Sequence, residues 1–139
     1  MEAGDHDEGF ALEVTLFTPA PTTDTLPIAT VAELDAALGR FDGERELVLG
    51  LVCDGGAGGA FFLFVSGDRG WVHLTAGPCR TASGWAGPEP AGAVVFRLDT
   101  GDRRVVPADR TVSREQGLRA LRHWFLTEQL WPELEWIGA

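Results

Sequence analysis

The sequence predicts an α+β domain, an antiparallel β-sheet of about six to seven strands with two helices packed on one face. Three observations predict it. Two segments with apolar residues at helical spacing each open with a capping box. The runs between them are short, mostly apolar and separated by Gly- and Asp-rich turns. The resulting order, β-α-β-β-β-β-β-α-β, joins most strands by connections too short for parallel crossovers, which favours an antiparallel sheet. The 139 residues suit one domain, 1–139, large enough to bury a core without disulfides or metals.

Each element has a local reason. Residues 1–9 are acidic and expected to be flexible. Residues 10–17, FALEVTLF, read as a strand, and Pro19, Pro21 and Pro27 mark the following stretch as a loop. Thr30 and Glu33 form a T-x-x-E box ahead of Val31, Leu34, Leu38 and Phe41, and Gly39 and Gly43 close that helix. Glu46–Cys53 is apolar at almost every position, as a central strand is. Ala60–Ser66 and Trp71–Ala76 flank Gly67-Asp68-Arg69-Gly70 and read as a hairpin. Residues 77–91, rich in Gly and Pro, read as a long loop. Ala93–Asp99 and Arg103–Pro107 make a second hairpin across Thr100-Gly101-Asp102. Ser113 and Gln116 cap a second helix with Leu118, Leu121, Trp124 and Phe125 on one face, and Leu134–Ile137 alternates as a last strand. Trp71, Trp124 and Trp136 are expected in the core, and Trp131 is left unassigned.

Charge narrows the function. The net charge is −10, and every basic residue is arginine. Eight acids and no arginine precede Arg40, whereas 13 acids and 11 arginines follow from it, so the first 39 residues carry −8 and the rest −2. Such a field repels nucleic acid and anionic membranes and attracts basic partners. One pair of opposite charges at 10 Å in water gains only about 0.4 kcal/mol, but several together accelerate encounter at low salt. The abundance of Ala, Gly and Arg has the look of codon bias, so glycine and arginine excess is set aside as a functional signal. No apolar run is long enough to span a membrane, and the acidic N-terminus does not resemble a signal peptide, so a cytoplasmic protein with reduced Cys53 and Cys79 is expected.

No chemistry-bearing motif stands out, and no cofactor or metal is expected. Gly55–Gly59 lacks the Lys-Ser/Thr that a phosphate loop needs. His6, His73 and His123 are scattered, without Cys-x-x-Cys or His-x-x-x-His spacing. Glu133 and Glu135 are read as solvated, and no nucleophile elbow or dinucleotide fingerprint is present. The chain therefore reads as a protein-binding domain and not as an enzyme.

A resemblance sharpens this reading. Gly70-Trp71-Val72-His73-Leu74 follows an apolar strand and a tight turn. Val95-Phe96-Arg97-Leu98-Asp99 precedes Thr100-Gly101-Asp102 and a strand ending Val106-Pro107. The helix Val112–Phe125 is closed by Pro132-Glu133-Leu134-Glu135-Trp136. In this order and spacing, the chain from about Ala60 onward resembles the first-numbered immunity-protein family of bacterial polymorphic toxin systems. The likeness departs at the hairpin turn, at the Pro/Gly-rich loop 77–91 and in the N-terminal third. It implies a toxin-neutralising protein, often encoded beside a secreted deaminase-like toxin, and with the net charge of −10 the expected mode is binding that occludes the toxin's active site. A basic, deaminase-fold toxin would complement the acidic chain. Loop position and charge select Asp5, Asp7, Glu8, Asp54, Trp85 and Glu89 as candidate toxin contacts, Trp85 because aromatics anchor interfaces. A non-catalytic adaptor or regulatory domain is the alternative.

Overall fold

Apolar residues occupy consecutive positions in the two central strands, so both faces of the sheet need cover. In a computed structural model that describes residues 9–53, 59–75, 80–83 and 92–138, different elements cover the two faces. The strands are β1 (Phe10–Phe17), β2 (Pro21–Ile28), β3 (Glu46–Cys53), β4 (Ala60–Ser66), β5 (Arg69–Leu74), β6 (Arg80–Ser83), β7 (Ala93–Arg97), β8 (Arg103–Pro107), β9 (Val112–Ser113) and β10 (Glu135–Gly138). The helices are α1 (Val31–Arg40) and α2 (Arg114–Thr127). The main sheet runs β10-β6-β5-β4-β3-β1-β2, every pairing antiparallel, with β9 attached to the start of β5. β7 and β8 form a separate two-stranded sheet.

The period-two alternation of strands sorts the side chains. Phe10, Leu12 and Val14 of β1, Leu47, Leu49 and Leu51 of β3, Phe61, Leu63 and Val65 of β4, and Val72 and Leu74 of β5 share one buried cluster with both helices. From α1 come Leu34 and Ala37, and from α2 come Ala120, Leu121, Trp124 and Phe125. Aromatic edges lock the seam: the Phe10 ring lies 5.6 Å from Trp124 and 4.9 Å from Phe125 between centroids. Gly117 lets α2 approach closely, because a Cβ there would lie 2.5 Å from Leu63 Cδ1. Both capping boxes form. Thr30 Oγ1 accepts from Glu33 N–H at 3.1 Å, and Ser113 Oγ accepts from Gln116 N–H at 2.9 Å.

The opposite face is covered by the β7–β8 hairpin. Phe96 and Val106 point inward onto Val48 and Phe64 in a second, smaller buried cluster. Phe62 lies over Gly50 across the ladder, where a Cβ would come within 2.9 Å of its ring.

The expected antiparallel sheet with two helices is present, with four differences of detail. Residues 21–28 form an edge strand and not a loop, because proline is tolerated where no further strand must pair, and Thr15 and Thr23 hydroxyls meet at 2.7 Å across the β1–β2 pair. Arg80–Ser83, inside the segment read as loop, is a sheet strand between β5 and β10. The last strand starts at Glu135, one residue later than read. The second hairpin lies across the sheet and does not extend it. No helix among the described residues is long and apolar enough to cross a membrane.

One arginine joins the connections at the end of α1 to α2. Arg114 Nη2 donates to the carbonyls of Phe41 and Asp42, both at 3.0 Å, and Nη1 donates to those of Glu44 and Gly67. Its backbone N–H bonds Asp68 O at 2.8 Å. Guanidinium donors suit several carbonyls at once, and a lysine ammonium cannot reproduce that fork. Arg114→Ala is expected to lower stability by about 2–3 kcal/mol, from lost charge-assisted bonds and orphaned carbonyls. Arg114→Lys should recover only part of the loss. Urea unfolding of the three proteins checks this, and an unchanged midpoint for the alanine variant would contradict it.

Candidate functional site

All six contacts expected from the sequence lie outside the described residues: Asp5, Asp7 and Glu8 before Gly9, Asp54 within 54–58, and Trp85 and Glu89 within 84–91. Cys79 also lies outside them. The described residues that flank two of these segments do meet. Phe10 pairs with Cys53 across the β1–β3 ladder, and Cys53 N–H bonds Gly59 O at 3.0 Å. Phe10 and Cys53 thus lie side by side at one end of the sheet.

The described surface has a recess on the hairpin side. Along β5, Val72 and Leu74 face the helices, so Trp71 and His73 face the other way. Arg104 and Val106 of β8 turn toward them, and the 3-10 turn Ala108–Arg110 brings Asp109 and Arg110 to the rim. The Thr111 hydroxyl fixes that turn by donating to Ala108 O at 2.7 Å. The cavity measures about 450 Å³ and is lined by Trp71, His73, Arg104, Val105, Pro107 and Arg110, among others.

Aromatic contacts hold its floor. Trp71 lies 4.8 Å from Phe64 and 6.2 Å from Phe96, centroid to centroid, and the Arg104 guanidinium sits 5.2 Å from the Trp71 ring centroid. Trp71 is thus half-buried on the hairpin side, outside the main core expected for it, whereas Trp124 is fully buried and Trp136 packs against the main core. Trp136 Nε1 donates to Trp131 O at 2.8 Å. On the outer face of the hairpin, Val95 and Val105 are directly paired and exposed, at 42% and 64%.

A second depression, about 810 Å³ and more open, lies between the end of α1, the β4–β5 turn and the start of α2. Asp42, Glu44, Asp68 and Glu115 give it an acidic rim around the Arg114 clamp.

Among the described residues no group of three or more His, Cys, Asp or Glu could hold a metal ion. Burial, and secondarily the Arg104 charge, lowers the His73 pKa below the usual imidazole value of 6.5. The folded state therefore prefers the neutral ring. That contribution to stability is complete above 6.5 and declines as pH falls through that value toward the lower folded pKa. An NMR titration of His73 should show a midpoint below 6.5 that rises in Arg104→Ala. A midpoint at or above 6.5 in the unaltered protein would contradict the assignment.

No curated protein matches the chain. The family model described as Immunity protein Imm1 matches residues 22–137. The match takes in most of β2, α1 and β3, which precede the segments from Ala60 onward that carry the resemblance. With most of its length covered, the chain belongs to the Imm1 family of immunity proteins.

Proposed function

We propose that this immunity protein holds its cognate toxin, a secreted nucleic-acid deaminase, inactive by covering the toxin's active-site groove in the cytoplasm of the producing cell. Family membership carries the inhibitory role. The net charge of −10 supports the choice of target. An enzyme that acts on nucleic-acid bases needs a positive groove to track phosphates and a pocket to receive the base. An acidic protein complements that groove where nucleic acid would lie, and the long-range field speeds encounter. Inhibition of this kind is stoichiometric and makes or breaks no bond.

Two parts of the chain suit the contact. Asp5, Asp7 and Glu8 precede β1 and Asp54 follows β3 in the sequence, and we assign them to charge complementarity. Trp85 and Glu89, in the connection from β6 to β7, are assigned to the same interface. The exposed Val95–Val105 pair adds apolar area beside polar groups, the composition of an interface centre and rim.

The test mixes the purified chain with the toxin domain encoded beside it and follows base deamination. Activity should fall in proportion to added protein and vanish near one equivalent. Full activity at excess would remove the inhibitory reading. Inhibition of a toxin that deaminates no base would keep the inhibitor and discard the deaminase.

A further inference from the structure

We propose that the recess between β5 and the β7–β8 hairpin is a receptor for one acidic side chain, Asp or Glu, of the toxin. This rests on the inhibitory reading above and deepens it, because it reverses the expected charge at one point of the interface.

The recess is a local exception on an acidic molecule. Residues 97–110 hold Arg97, Arg103, Arg104 and Arg110 against Asp99, Asp102 and Asp109, a net of +1 in a chain of net −10. Arg104 is held by its position over Trp71 but makes no ion pair or hydrogen bond among the described residues, and neither does Arg110. Asp109, the one acid among the described residues of the lining, has an interaction of its own. Two guanidiniums thus share one recess, neither in an ion pair among the described residues, and the neutral imidazole of His73 offers a further polar contact.

The chemistry selects a carboxylate. Arginine presents paired N–H donors that match the two oxygens of a carboxylate or a phosphate. Nucleic acid is the less suited anion, because each phosphate would bring neighbouring phosphates onto a strongly negative protein. A side chain from a basic partner brings one isolated negative charge and no such penalty. The Trp71 ring and Pro107 supply apolar walls for its methylenes. Tryptophan and arginine are also among the residue types enriched at the few positions that carry most binding energy at protein interfaces. The cavity of about 450 Å³ admits a whole side chain.

Arg104→Glu and Arg110→Glu, singly and together, test this by calorimetric titration with the neighbouring toxin domain, with circular dichroism to confirm the fold. Arg119→Glu is the control. Arg119 lies on α2, on the helix side of the sheet, and makes an exposed contact with Glu115 at 3.2 Å. Each recess variant should weaken binding at least tenfold, the pair more, while Arg119→Glu changes it less than threefold. One toxin Asp→Arg or Glu→Arg substitution should then restore binding to Arg104→Glu. If the unaltered chain binds the toxin and the recess variants bind equally well, the receptor is wrong and the inhibitory reading stands. If the unaltered chain does not bind, both fall. If no acidic toxin residue rescues the variant, or if acetate or inorganic phosphate fills the recess while toxin binding is unaffected, the assignment to a toxin carboxylate is overturned.

Discussion

The structure depends on burying both faces of its two central strands. β3 and β4 carry apolar side chains at nearly every position, so any arrangement that covered one face alone would leave the other in water. Leu47, Leu49, Leu51, Phe61, Leu63 and Val65 are matched by the two helices. Val48 and Phe64 are matched by Phe96 and Val106 of the hairpin. Burying a side chain of this size contributes about 1.5–3 kcal/mol, so neither layer is dispensable in a domain of ordinary stability. The hairpin consequently has a fixed position, and the recess beside it follows from where Trp71 and Arg104 are left.

That constraint explains what could be read from the sequence. Both capping boxes and both hairpins carry short-range signals, Thr30 with Glu33, Ser113 with Gln116, and Gly67 and Gly101 at positive φ in their turns. β2 was hidden because Pro21 and Pro27 mimic a loop, and edge pairing is a tertiary fact. β6 and β9 span four and two residues, too few for a periodic signal, and are defined by their partners. The doubly apolar β4 was visible, but not which element would cover its second face.

The site was less legible than the fold. Candidate contacts chosen by charge and loop position all fall outside the described residues, so the geometry neither gathers nor disperses them. The recess was missed for a physical reason. Trp71 and His73 are separated from Arg104 and Arg110 by about thirty residues, and only the hairpin crossing the sheet unites them. Setting arginine aside as codon bias also hid Arg104, whose neighbour across the hairpin is the fully buried Phe96. The available signal was alternation: Trp71 and His73 sit out of phase with the apolar Val72 and Leu74, which marks a second working face of β5. A surface held by a packed sheet and an arginine clamp is ordered before it binds, which reduces the entropy cost of association.

Hydrogen–deuterium exchange on the complex with the neighbouring toxin tests most directly whether the hairpin side is the one that binds. Binding there predicts slowed amide exchange across β5, β8 and the Ala108–Arg110 turn, with α1 and the outward face of α2 unchanged. Slowed exchange confined to the helix side, with β8 and the turn unaltered, would contradict it.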